Sequence, residues 1–310
     1  MNKDLRIVFM GTPDFAVASL DILVQNGFNV VAVITAPDKP AGRGLQLHES
    51  AVKQYAVSKG LPVLQPEKLK NPDFIAALRD LKADLQVVVA FRMLPEMVWN
   101  MPPEGTINVH ASLLPNYRGA APINWAIING EKESGVTTFK LQHEIDTGDI
   151  LFSDTVAIRE DETAGELHDA LMHTGATLLL KTVQAIAAGN IAGTPQAHIP
   201  AAAIKHAPKI FKDTCQINWL QPLSSIYNLV RGLSPYPAAW TVFQGKNLKI
   251  YKAHKEHTTP SKAPGEFETD QKTYVKIAAQ DGYLYLDEIQ LEGKKKMDIE
   301  AFLRGYRFQE

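Results

Sequence analysis

The chain has 310 residues, 45% hydrophobic and 21% charged, with a net charge of -2, so two ordinary globular domains are expected. No run approaches the ~20 apolar residues of a membrane helix, and residues 1–6 lead straight into a short strand with no apolar signal region. The single cysteine, Cys215, excludes an internal disulfide, and the residues around it carry no metal-ligand spacing.

Residues 5–10 read as a buried strand, and residues 15–25 have helical spacing that ends before Gly27. Between them, Gly11-Thr12-Pro13-Asp14 lacks the second and third glycines of a dinucleotide fingerprint, while Pro13 suits the first turn of a helix. A nicotinamide site is therefore rejected, and an ATPase would need a phosphate-loop motif that is missing. Residues 30–35 form the next strand, followed by a flexible basic loop over residues 37–47 that contains Ala41-Gly42-Arg43-Gly44. Residues 85–90 and 106–109 give two more strands. The alternation with helices predicts a Rossmann-like, mostly parallel α/β sheet.

The run Asn108-Val109-His110-Ala111-Ser112-Leu113-Leu114-Pro115-Asn116-Tyr117-Arg118-Gly119 closes the last of these strands. Alternate strand residues share a face, so Asn108 and His110 project together where the chain breaks into a loop. Such strand ends build the sites of open α/β sheets. An amide donor beside an imidazole suits a reaction that develops a negative oxygen and moves a proton. Downstream, Asp146 in Asp146-Thr147-Gly148-Asp149 is the carboxylate expected to orient His110. Taken singly, each residue reads equally as a turn, cap or structural residue.

Residues 136–141 and 150–158 are expected to be antiparallel neighbours, and residues 164–188 one long helix ended by Gly189-Asn190. Residues 189–208, rich in Ala, Pro and Gly, look like a linker. Residues 226–233 are helical, and the remainder reads as strands: 241–243, 248–253, 274–278 and 283–290. Short strands separated by Gly and Pro suggest a small β-barrel. The predicted organisation is a catalytic domain over 1–189, a linker over 190–208 and a second domain over 209–310. Residues 205–310 hold 16 Lys+Arg against 12 Asp+Glu, a balance of +4, which leaves -6 for the preceding part. This hints at a polyanion partner, although a solvated surface accounts for it as well.

Asn-x-His, then Ser-Leu-Leu-Pro-x-Tyr-Arg-Gly, then Asp-x-Gly-Asp resembles the folate-dependent formyltransferases. Phe9-Met10-Gly11-Thr12-Pro13-Asp14-Phe15-Ala16, the Ala41–Gly44 insertion and Val230-Arg231-Gly232-Leu233-Ser234-Pro235-Tyr236-Pro237 look like the branch of that family acting on methionyl-tRNA. The resemblance spans nearly the whole chain. It implies transfer of a formyl group from 10-formyltetrahydrofolate to the amino group of initiator methionyl-tRNA; a cytoplasmic monomer is expected. It also implies an OB-like second domain that binds tRNA; from the residues themselves no metal site and no membrane partner are expected. Asn108, His110 and Asp146 become the catalytic set, Ser112, Leu113, Leu114 and Pro115 contact the folate, and Arg43 grips the acceptor end of the tRNA. One departure stands out in Phe91-Arg92-Met93-Leu94-Pro95, where Arg92 occupies a position that is often glycine in the family. The alternatives are a formyltransferase for a nucleotide-linked amino sugar, a purine-pathway enzyme and an RNA-binding protein with a dead transferase domain. The second domain disfavours the purine enzyme, and the intact Asn-His-Asp set disfavours the dead transferase.

Overall fold

The computed structural model describes residues 4–41, 46–196 and 201–308. Arg43, assigned above to the tRNA acceptor end, lies outside the described residues. The chain divides into two compact units. The first comprises Met1–Arg118, Ser134–Val156 and His168–Lys205, and the second Gly119–Glu133, Ala157–Leu167 and His206–Glu310. Two short internal segments thus belong with the C-terminal part.

The first unit is built on a seven-stranded sheet. Its elements begin β1 (Arg6–Gly11), α1 (Asp14–Gln25), β2 (Asn29–Ile34), β3 (Lys39–Ala41), β4 (Gln46–His48), α2 (Ala51–Ser58) and β5 (Val63–Leu64). They continue with α3 (Pro72–Asp80), β6 (Leu85–Val89), α4 (Glu96–Trp99), β7 (Thr106–His110), β8 (Arg118–Gly119), β9 (Glu133–Lys140) and β10 (Ile150–Ala157). The sheet order is β10-β9-β7-β6-β1-β2-β5. The pairs from β7 across to β5 are parallel, and β9 joins β7 antiparallel.

Strands buried on both faces read as continuous apolar runs. Residues 7–10 of β1 are fully buried, as is β6 throughout. Each such Ile, Val or Phe side chain stabilises the fold by roughly 1.5–3 kcal/mol. Helix α1 buries Phe15, Ala16, Ser19, Leu20 and Leu23, one helical stripe. Side-chain caps start two helices here: Ser50 accepts the Lys53 N–H for α2, and Asn71 accepts the Asp73 N–H for α3. As expected, β9 and β10 are neighbours. The Lys140 N–H donates to the Asp149 carbonyl beside their connecting loop.

The helix expected over 164–188 is α6 (Ala164–Ala187). Thr163 and Glu166 form a reciprocal capping box at its start: Thr163 Oγ1 accepts the Glu166 N–H, and Glu166 Oε2 accepts the Thr163 N–H. The Ala/Pro/Gly-rich stretch that follows is docked on the first unit. Ile150 and Thr194 exchange two backbone hydrogen bonds of 2.8 Å, and the Lys205 carbonyl accepts the Tyr117 N–H.

The second unit holds α5 (Pro122–Ile128), β11 (His206–Ala207), α7 (Leu223–Gly232), β12 (Ala239–Phe243), β13 (Lys246–His257), β14 (Phe267–Thr269), β15 (Val275–Ala278), β16 (Gly282–Leu291), β17 (Met297–Asp298) and α8 (Ile299–Gly305). An antiparallel half-barrel runs β12-β13-β16-β15-β14, with β17 branching from β16. Leu223, Ile226 and Val230 of α7 share its core with Leu248, Ile250, Leu284 and Ile289. Helix α8 corrects the sequence reading, which gave only strands after residue 241. It is seven residues long, too short for a period to stand out. Asp298 caps it by accepting the Ala301 N–H, and it buries Ile299, Phe302 and Leu303.

Candidate active site

The pleat of β7 sets Asn108 and His110 on one face, as their spacing predicts. Asn108 lies opposite Val88 of β6 and Phe139 of β9, and His110 lies opposite Thr137. Asn108 is partly exposed, whereas His110 is buried.

His110 Nε2 lies 2.8 Å from the Tyr117 carbonyl oxygen. A carbonyl can only accept, so Nε2 is the donor and carries a proton in every state of this arrangement. The other ring nitrogen, Nδ1, is then the acceptor of the neutral ring. Nδ1 faces Asp146 Oδ2 at 3.9 Å, with both side chains largely shielded from solvent. The separation is an ion-pair distance, longer than a direct hydrogen bond. The structure therefore brings together two residues 36 positions apart.

The Asp146 loop is tightly specified. Asp146 itself has φ +55°, in the left-handed region that few non-glycine residues occupy. Gly148 explains the glycine of the Asp-x-Gly-Asp motif, because a Cβ there would stand 1.6 Å from the Lys140 carbonyl oxygen. The Gln196 side-chain amide donates to the Asp146 and Gly148 carbonyls at 2.8 and 2.9 Å. Gln196 Oε1 in turn accepts from Arg118 Nη2 at 2.5 Å.

The Ser112–Pro115 loop is pinned to β9. Thr137 Oγ1 donates to the Ser112 carbonyl at 2.7 Å and accepts the Leu114 N–H at 3.2 Å. Ser112 is buried, and its hydroxyl donates to the Asn116 carbonyl at 2.7 Å, which makes it a loop hydrogen bond. Leu113 lies against Gly135, where a Cβ would come within 2.5 Å of Leu113 Cδ2.

Arg92 has its own seat. Its Nη1 and Nη2 donate to the Glu67 and Pro66 carbonyls at 3.0 and 2.8 Å, and its guanidinium lies over the Phe91 ring. Burial lowers its pKa from the ordinary arginine value. Nearby, Met93, Met97 and Ile145 are exposed apolar side chains. His143 pairs with Glu96 at 3.4 Å and meets the Trp99 ring edge-on. Among the described residues, no group of three or more His, Cys, Asp or Glu is placed to hold a metal. No helix among them is long and apolar enough to cross a membrane.

Two family models match this chain: formyl transferase over residues 5–183, and formyl transferase C-terminal domain over residues 209–307. The chain belongs to the formyl transferase family. It is 58% identical to a methionyl-tRNA formyltransferase of Parabacteroides distasonis, over 99% of this chain and 97% of the relative. It is 50% identical to one of Flavobacterium johnsoniae, over 99% and 98% respectively. Among solved structures, an N-formyltransferase of Helicobacter canadensis in complex with folinic acid and dTDP-3-aminofucose superposes with TM-score 0.65, at 22% identity, over 94% of this chain and 99% of that one. HypX of Aquifex aeolicus in complex with tetrahydrofolic acid gives TM-score 0.66 at 20% identity, over 97% of this chain and 47% of that one. At these identities the structural likeness speaks to the fold, which agrees with the Rossmann-like sheet followed by a half-barrel.

Three residues around the site escaped the sequence reading. Tyr117 acts through its backbone carbonyl, for which its side chain gives no sign. Thr137 sits in a β-branched strand run like its neighbours. Gln196 lies in a stretch with no period at all, 50 residues beyond Asp146.

Proposed function

We propose that this formyl transferase moves the formyl group of 10-formyltetrahydrofolate onto the free amino group of the methionyl moiety of initiator methionyl-tRNA, for translation initiation. The observation that carries the reading is identity of 50–58% over essentially the whole chain, second unit included, to proteins named methionyl-tRNA formyltransferase. A cytoplasmic monomer is the form in which it would act.

The amine nitrogen attacks the formyl carbon and gives a tetrahedral intermediate whose oxygen is negative. The partly exposed Asn108 amide supplies a hydrogen bond to that oxygen, a contribution worth about 10²–10³ in rate. His110 Nδ1 accepts the proton the amine sheds and passes it toward N10 as the C–N10 bond breaks. The Tyr117 carbonyl keeps Nε2 protonated throughout. The Asp146 carboxylate at 3.9 Å stabilises the transient imidazolium. No covalent enzyme intermediate is needed, in keeping with the loop-bound Ser112 hydroxyl.

In this reading Ser112, Leu113, Leu114 and Pro115 line the folate side, Arg43 holds the tRNA acceptor end, and residues 209–310 hold the tRNA body. The +4 balance of residues 205–310 suits a polyanion. The competing acceptor is a nucleotide-linked amino sugar. The test follows tetrahydrofolate release from 10-formyltetrahydrofolate with methionyl-tRNA or with dTDP-3-aminofucose as acceptor. Release with methionyl-tRNA alone is expected, and release with the sugar alone refutes the reading.

A further inference from the structure

We propose that Gln196 is a positioning residue for formyl transfer, fixing the turn that aims the Asp146 carboxylate at His110. The proposal rests on the reading of Asp146 given above. Asp146 adopts a left-handed backbone conformation at φ +55°, uncommon outside glycine although more accessible to aspartate than to most residues. The Gln196 amide clamps this turn. Its two N–H bonds go to the carbonyls on either side of the turn, Asp146 at 2.8 Å and Gly148 at 2.9 Å.

Chemistry fixes which end of the amide faces which partner. Backbone carbonyls only accept and a guanidinium only donates. Nε2 must therefore face the turn, and Oε1 must face Arg118 Nη2, 2.5 Å away. A flipped amide would set oxygen against two carbonyl oxygens and NH2 against a cation.

The backbone of this segment is anchored too. Thr194, two residues earlier, exchanges both of its backbone hydrogen bonds with Ile150, just past the Asp146 loop. Gln196 thus enters the site from a fixed strand-like edge.

The network also closes on the histidine. Arg118 follows Tyr117, whose carbonyl holds His110 Nε2. Adjacent residues therefore hold the ring directly and the carboxylate through Gln196. The 3.9 Å spacing between His110 Nδ1 and Asp146 Oδ2 is the outcome of both arms. Displacement of a catalytic group by about 1 Å costs on the order of 10²-fold in rate.

The experiment is a double-mutant cycle on the full chain, with Gln196→Met, Asp146→Asn and the pair. For each, kcat and both KM values are measured with 10-formyltetrahydrofolate and methionyl-tRNA across pH. The expected result for Gln196→Met is a fall in kcat of about 10- to 100-fold, with both KM values within about threefold. The acid limb of its pH profile should move in the same direction as in Asp146→Asn. In the Asp146→Asn background Gln196→Met should cost nothing more, because residues acting as a unit are not additive. An unchanged kcat, or the same loss in both backgrounds, overturns the proposal. Gln196→Glu serves if the methionine variant does not fold, since it keeps the Arg118 contact and removes the donors to the turn. If Asp146→Asn leaves kcat unchanged, the role given to Asp146 fails by itself. The positioning claim is then decided by the His110 ring resonances in an NMR pH titration, which Gln196→Met must shift if the claim holds and leave in place if it is wrong.

Discussion

Replacing His110 by glutamine separates the hydrogen bond of the ring from its chemistry. A glutamine amide reaches about as far as imidazole Nε2 and can donate to the Tyr117 carbonyl, but it has no nitrogen that titrates. The folded state then keeps the 2.8 Å bond that ties β7 to the Tyr117 turn. Alanine at the same position removes that hydrogen bond, a loss of about 0.5–1.5 kcal/mol. Both variants lose the ring Nδ1, and if it handles the proton as proposed the expected fall in turnover is about 10²–10⁴-fold. Urea unfolding measures the first quantity, and single-turnover formylation of methionyl-tRNA at saturating 10-formyltetrahydrofolate measures the second. Turnover within about threefold of the parent in the glutamine variant would show that position 110 needs no titrating nitrogen. Equal stability of the alanine and glutamine variants would show that the bond to Tyr117 contributes nothing to the fold.

Asn108→Ala should lower turnover by about 10²–10³-fold with little loss of stability, since Asn108 is only partly buried, and parallel kinetic and unfolding measurements check both. Arg92→Gly removes two hydrogen bonds to the Pro66 and Glu67 carbonyls. A destabilisation of about 1–3 kcal/mol is expected from urea midpoints, whereas a gain in stability would show that Arg92 is tolerated rather than used. The Glu166 carboxyl is held below the usual carboxylate range, first by the Thr163 N–H and then by the Thr163 hydroxyl. Its stabilising contribution is therefore full above the unfolded pKa of about 4.3 and is lost as pH falls through the lower folded value. Glu166→Ala should accordingly cost more stability at pH 7 than at pH 3, as read by thermal unfolding at the two values. Cutting the chain after Pro208 removes α7, whose Gly232 carbonyl accepts from Asn124 of α5 at 2.8 Å. The fragment should be poorly soluble and bind apolar dyes, and a well-folded, dye-silent fragment would contradict the assignment of α5 to the second unit.

Much of the site was legible because it obeys a local rule. Asn108 and His110 are two apart at the end of a strand, and a pleat puts such residues on one face whatever surrounds them. The strands of the parallel sheet were equally plain, since burial on both faces leaves an unbroken apolar run such as Leu85–Val89. Asp146 needed more, because only the chain's return through β9 brings it beside His110. Gln196 was out of reach for the same reason, with nothing in Thr-Pro-Gln to mark a residue that docks 50 positions back. The discontinuous second unit was hidden too. Gly119–Glu133 and Ala157–Leu167 are flanked by segments of the first unit, and nothing in their composition assigns them elsewhere. Arg92 stood out in the sequence only as a departure from the family pattern, and the bonds of its guanidinium to two backbone carbonyls carry no mark there.

The most direct test of the account is the product formed on initiator methionyl-tRNA. The purified chain is given 10-formyltetrahydrofolate with initiator or elongator methionyl-tRNA, and the amino acid released by mild base is identified by mass. The account predicts N-formylmethionine from the initiator tRNA, at a kcat/KM well above that for the elongator. Absence of formylmethionine, or equal rates on the two tRNAs, would contradict it.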